Sequence, residues 1–295
     1  MKTKESDVAD SLFSAHRNSG PRAPVQSRDL DAVNRGAWKA PGTVRMFERL
    51  QGWTDPGEQA AVEHVAAQVR SRPILDIGVG AGRTTTLLRA ISCDYVGIDY
   101  TKEMVDACRA KHPDARIEHM DARDLSAFAD NQFALVVFSF NGIDAVELAD
   151  RHKILREVHR VLQPGGLFIV SAHNRNGPGF GEQPHLHLRF SWNPLKLGWR
   201  TWQLARSLVP TWRNRHRLRA LNEAHDEWAI MNAGAHDFGI VIMYTTFAEQ
   251  KRQLAAAGFT TELVLDNVRG QAVTDETDTR AMWWFHFIAR KPAVA

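Results

Sequence analysis

Two cysteines in 295 residues, Cys93 and Cys108, are too few and too isolated for a disulfide framework or a thiolate zinc site. Both are expected to pack as small apolar side chains in a reducing compartment. Long hydrophobic runs are also lacking. No stretch approaches the roughly 20 apolar residues of a membrane span, and residues 1–10 hold no apolar core of a secretory leader. These absences predict a cytoplasmic protein. Internal repeats and low-complexity tracts are missing as well. Acidic residues are scarce in one place: between 175 and 219, Arg175, Arg189, Lys196, Arg200, Arg206, Arg213, Arg215, Arg217 and Arg219 face a single acid, Glu182. That segment carries +8 in a chain of net +3, so the remainder is near −5.

What is present is an alternating α/β pattern. Residues 1–35 are polar, without sustained periodicity, and are expected to form a mobile arm that orders over a ligand. A helix begins at Asp55-Pro56-Gly57-Glu58, with Asp55 as N-cap, Pro56 at the first helical position and Glu58 three residues past the cap. Strands are predicted at 73–77, 94–99, 115–119, 133–139 and 166–173, with helices near 83–92, 102–111 and 148–162. The wholly apolar run 133–138 reads as a central parallel strand buried on both faces. The rhythm breaks after Ser171 and resumes near Thr246, with a helix stopped by Gly258 and strands near 259–266 and 282–290. Such alternation predicts a doubly wound sheet with right-handed crossovers.

The most informative stretch is 74–85, Ile-Leu-Asp-Ile-Gly-Val-Gly-Ala-Gly-Arg-Thr-Thr. An apolar strand ends in Asp76, and Gly78, Gly80 and Gly82 follow at every second position before a helix. Glycines there permit a sharp turn and close approach of backbone to ligand. A dinucleotide fingerprint wants G-x-G-x-x-G, but Arg83 or Thr85 stands where its third glycine would be. The pattern D-x-G-x-G-x-G instead resembles the first motif of the class I S-adenosylmethionine-dependent methyltransferases. The second strand ends in Asp99, 23 residues after Asp76. An acid there can accept bonds from both ribose hydroxyls, or be an ordinary loop acid. Tyr100 could stack on adenine.

The resemblance extends from 74 to 171 and again over 250–259. It implies that Asp121 accepts a bond from the adenine amine and that the Ala122 amide addresses the ring. Capping of the following turn is the alternative for Asp121. It further places Phe140 and Asn141 beside the methionine moiety and makes 155–166, ending in Pro-Gly-Gly, a structural delivery of the fifth strand. The implied fold is a Rossmann-like seven-stranded sheet with its last strand antiparallel and a helical lid inserted. Residues 36–173 and 237–295 would form the cofactor domain, and 174–236 the basic, Trp-rich insertion.

Methyl transfer is an in-line displacement that depends mainly on positioning, so no obvious dyad is required. His173, His236 and Asp144 are the candidate proton-handling groups. His185 and His187 lack a third ligand and give no metal site. Along the insertion, Leu195, Trp199, Trp202 and Val209 share a helical face, which reads first as a lid over the cleft. Contact of 193–219 with an anionic membrane surface, or of its arginines with nucleic acid, are the lesser readings. The expected acceptor is a small molecule, with an anionic one suited to the arginines, methylated on O or N. An RNA or protein methyltransferase and a non-catalytic S-adenosylmethionine-binding protein remain as alternatives. The sequence leaves the oligomeric state open.

Overall fold

The computed structural model describes residues 27–183 and 193–293. Two helices, α1 (Ser27–Trp38) and α2 (Pro41–Arg49), precede α3 (Pro56–Ala66). The alternation that follows is β1 (Ile74–Ile77), α4 (Thr85–Arg89), β2 (Tyr95–Asp99), α5 (Lys102–Lys111), β3 (Arg116–His119), β4 (Phe133–Phe138), α6 (Leu148–Val161) and β5 (Leu162–His173). The chain continues through α7 (Pro194–Leu218), β6 (Glu223–Ala224), β7 (Trp228–Ala233), β8 (Ile240–Thr245), α8 (Phe247–Ala256), β9 (Thr260–Asp266) and β10 (Trp284–Arg290).

Seven strands form one sheet in the order β3-β2-β1-β4-β5-β10-β9. Strands β1 to β5 pair in parallel, while β10 runs antiparallel to both β5 and β9. The final strand therefore inserts between its predecessors, and its opposite direction is the one the family resemblance implied. Alternate residues feed two cores. Leu75, Phe168, Val170, Phe285 and Phe287 pack on one face, and Ile74, Ile169 and Ile288 join Val62 and Val65 of α3 on the other. Burial on both faces is why these strands read as unbroken apolar runs.

Two features depart from the sequence reading. Residues 27–35 are the first turns of α1, not an irregular arm. Leu30 and Asn34 lie on its buried face, and Asn34 donates to the carbonyls of Ala145 (2.7 Å) and Val241 (2.8 Å) and accepts from the Val241 amide (3.0 Å). A polar residue at the centre of the stripe hides the helical period. Residues 1–26 lie outside the described residues, as do His185 and His187. The insertion is also more than a helix. Strands β6, β7 and β8 form a separate antiparallel sheet, so a boundary at 236 falls inside this unit.

Asp55 caps α3 as expected, accepting from the Glu58 amide at 2.9 Å, and does more. Its other oxygen takes the Trp284 indole N–H (2.9 Å), and the carboxylate meets the fully buried His286 ring (2.9 Å), fastening α3 to β10. Burial opposes the charge of Asp55, but the bonds from His286, Glu58 and Trp284 prevail and hold its pKa below the usual range. A lowered carboxyl pKa contributes stability above the unfolded value that is lost as pH falls through the folded one. Asp55→Ala is expected to cost about 2 kcal/mol or more in urea unfolding, combining a lost cap with an unpartnered buried imidazole. An unchanged midpoint would refute this double role.

Candidate active site

The carboxyl edge of β1, β2, β4 and β5 opens into one cleft of about 370 Å³. The turn after β1 forms its floor. Gly78, Gly80 and Gly82 have φ of +67°, +55° and +92°, a region that disfavours side chains. Their surroundings differ. A Cβ on Gly80 would have nothing nearer than 3.7 Å and would project into the cleft, whereas one on Gly82 would strike His112 and Cys108 of the α5 side. Gly80 admits a ligand, and Gly82 admits a helix.

Two buried acids hold this turn. Asp99 accepts from the Gly80 amide (3.0 Å) through one oxygen and from the Thr101 amide (2.7 Å) through the other. Each oxygen keeps a lone pair for a hydroxyl donor, and Asp99 lines the cleft. Asp76 lies beneath the turn, accepting from the Thr84 hydroxyl (2.9 Å) and the Tyr95 hydroxyl (2.8 Å), and is not on the cleft wall. Asp76 and Gly82, both expected to touch cofactor, do not line the cleft and shape the turn from behind. Burial pushes the Asp99 carboxyl up to about 6 against the pull of its two amides. It does the same to Asp76, against the Tyr95 and Thr84 bonds.

At the far side of Asp99, Tyr100 lines the cleft with its hydroxyl buried and unpartnered, and the Arg35 guanidinium lies 4.2 Å from its ring centre. Asp121 and Ala122 also line this end. Asp121 accepts from Arg35 (2.7 Å) and Arg123 (2.7 Å), which holds its pKa down despite burial. Arg35 and Asp31 thereby tie α1 to the end of β3. The sequence offered no reason to single out Arg35.

After β4 the chain makes two left-handed residues, Phe140 (φ +54°) and Asn141 (φ +61°), an unusual pair for non-glycine residues. The Asn141 amide donates to the Ser171 hydroxyl (2.7 Å), while its side-chain oxygen is buried without a partner. Phe140 packs edge-on against Phe47, Trp53 and Trp284. Arg83 supports this wall through a buried bidentate pair with Glu58, with 2.7 Å for one arm, and a bond to the Ser139 hydroxyl (3.1 Å). Glu58 therefore serves Arg83 instead of closing a capping box.

The three proton-handling candidates converge. Asp144, in the 3-10 turn Gly142–Ala145, is fully buried and paired with the equally buried Arg151 of α6. It accepts from the His173 amide (2.6 Å) and sits 2.7 Å from His173 Nδ1. An acid on Nδ1 fixes the proton there and leaves Nε2 as the free base. Nε2 lies 3.5 Å from the Asn141 side-chain nitrogen Nδ2, and His173 lines the cleft. His236 lines it too, from the left-handed turn Ala235–Phe238, with Nδ1 3.2 Å from Thr43 Oγ1; burial lowers its pKa. Trp38, Phe47, Phe140, Tyr244 and Trp284 complete an aromatic chamber around the two imidazoles. Among the described residues no group of acids, histidines and cysteines could hold a metal.

A glycine turn at the carboxyl edge of a doubly wound sheet, with an acid poised at the second strand end, defines a nucleoside-binding cleft. Comparisons narrow the class. Residues 74–166 match the family model of the methyltransferase domain. A probable S-adenosylmethionine-dependent methyltransferase of Mycolicibacterium smegmatis is 31% identical over 40% of this chain and 44% of its own length. A demethylmenaquinone methyltransferase of Clavibacter sepedonicus is 34% identical over 38% and 45%. The chain thus spans less than half the length of these relatives. The solved structure of Burkholderia thailandensis 1,6-didemethyltoxoflavin-N1-methyltransferase, with its namesake ligand and S-adenosylhomocysteine, shares the fold (TM-score 0.56, 14% identity, 93% of each chain). Over residues 74–166 the chain is thus similar to the methyltransferase domain, and S-adenosylmethionine is the cofactor its curated relatives are named for. The open face of Gly80, the free lone pairs of Asp99 and the orphaned Tyr100 and Asn141 oxygens fit such a polar, nucleoside-bearing group.

Ribose hydroxyls donate to a carboxylate, so protonation of Asp99 competes with binding. Affinity for S-adenosylhomocysteine is expected to fall up to about tenfold per pH unit below about 6, read by calorimetry. Asp99→Asn should bind more weakly and lose that pH dependence; an undiminished affinity would remove Asp99 from the ribose site.

Proposed function

We propose that this chain transfers the methyl group of S-adenosylmethionine to an oxygen or nitrogen of a small, planar acceptor, with His173 as the general base. The Asp144–His173 pair is the observation that carries the reading. A cofactor sensor needs no oriented imidazole facing its own cleft, which favours catalysis over a non-catalytic binding role. When bound, S-adenosylmethionine supplies an electrophilic methyl on a sulfonium. Asp99 and the Gly80 turn hold the nucleoside end, and Asp121 with Ala122 border the adenine end. The Phe140–Asn141 turn, which borders His173, would hold the methionine end. Nε2 of His173 would accept the acceptor's proton, while Asp144, backed by Arg151, would stabilise the imidazolium. His236, kept neutral by burial, is available as a second contact to the acceptor.

The aromatic chamber supports a planar acceptor, as stacking geometry would align it for in-line attack. An anionic acceptor has less support. The basic residues on the cleft wall, Arg83 and Arg123, are already ion-paired, and no basic residue of α7 reaches it among the described residues. The same placement weakens the RNA and protein readings, which rested on that basic segment.

The test begins with a screen of methyl acceptors, scored by release of S-adenosylhomocysteine. On an active acceptor, His173→Gln should lower kcat by about 10²–10⁴-fold while leaving cofactor affinity within a factor of about two. Asp144→Asn should lower kcat in the same direction by turning the imidazole to the wrong tautomer. Retained turnover in His173→Gln would refute the base assignment.

A further inference from the structure

Helix α7 carries its apolar stripe on the side away from the protein. At about 100° per residue, Leu195, Trp199, Trp202 and Val209 lie within one narrow arc, with Trp212 at its margin. The opposite side is the anchored one. Ser207 and Asn214 bond Asp237, Arg215 lies over the Phe238 ring, and Leu218 is buried with Leu30, Ile230, Val241 and Met243. The stripe is therefore left in solvent: Leu195 is 83% exposed, Trp199 57%, Val209 and Trp212 71% each. No described side chain of α7 lines the cleft, so this face does not supply the expected lid. The insertion reaches the site through residues 179, 182 and 233–236 instead.

Cations lie within and beside the stripe, and no anion does. Lys196, Arg206, Arg213 and Arg217 are exposed on or beside it, and residues 193–222 contain no acid. Trp199 and Trp202 stack at 5.0 Å, and the Arg206 guanidinium lies 5.3 Å over Trp202. We propose that α7 is an interfacial helix that seats this protein on an anionic lipid surface. Indole rings and aliphatic side chains enter the headgroup boundary, and the arginines and Lys196 extend to lipid phosphates. Charge decides against the other occupants. A second copy of the helix would oppose like charges with no acid to relieve them. Nucleic acid would neutralise the arginines but leave Leu195 and Val209 in water. Among the described residues no helix is long and apolar enough to cross a membrane, so the contact is peripheral.

This inference goes beyond the proposed chemistry and stands apart from it, since none of these residues touches the cleft. Sedimentation of the full chain with phosphatidylcholine vesicles, with and without phosphatidylglycerol, tests it. Binding is expected only to the anionic vesicles and should weaken with salt. Trp199→Gln/Trp202→Gln/Trp212→Gln and Arg206→Gln/Arg213→Gln/Arg217→Gln should each reduce vesicle binding at least about tenfold. Both should keep the wild-type Tm and S-adenosylhomocysteine affinity, which separates this claim from the active-site one. Failure of the wild type to sediment, or sedimentation that survives the tryptophan variant, would overturn the proposal. So would binding to an RNA oligonucleotide but not to vesicles, or self-association abolished by the tryptophan variant without vesicle binding.

Discussion

The site depends on how the turn after β1 is held. A loop of three left-handed glycines has no intrinsic reason to stay in one shape, and here two carboxylates fix it. Asp99 grips the Gly80 amide from β2, and Asp76 is anchored underneath by Thr84 and Tyr95. Burial raises both toward about 6, so each carries a cost as an anion at neutral pH. For such a group the stabilising contribution is full below the unfolded pKa and fades as pH rises through the folded one.

The second half of the site is organised by a charge chain that starts in the core. Arg151, wholly buried, donates to Gln253, to the Ile143 carbonyl and to Asp144, and Asp144 orients His173. Breaking such a pair leaves an uncompensated buried charge, a loss of about 3–5 kcal/mol. Arg151 of α6 and Gln253 of α8 therefore help position an imidazole at the cleft without lining it themselves. Substrate-facing and structural roles are divided along one hydrogen-bonded path.

Much of this was legible in the sequence, for physical reasons. Strands buried on both faces announce themselves as apolar runs, and the Asp55 cap and glycine turn are local. What was not legible is long-range or conceals its period. His173 and Asp144 could be nominated separately, but no spacing rule pairs residues 29 apart. Arg83 was visible only as a missing third glycine, and Glu58 only as a first-turn acid; their bidentate pair needs the fold. Asn34 interrupts the stripe of α1 with a polar residue satisfied by distant backbone. The stripe of α7 was read correctly as a face, but periodicity cannot say which side of a helix meets the body.

A methyl-donor site in the Gly80–Asp99 cleft must recognise the sulfur nucleoside and not a dinucleotide. Calorimetric titration of the chain with S-adenosylmethionine, S-adenosylhomocysteine and NAD addresses this directly. Binding of both sulfur nucleosides, with no measurable heat from NAD, is the predicted result. Preferential binding of NAD would contradict the account at its foundation.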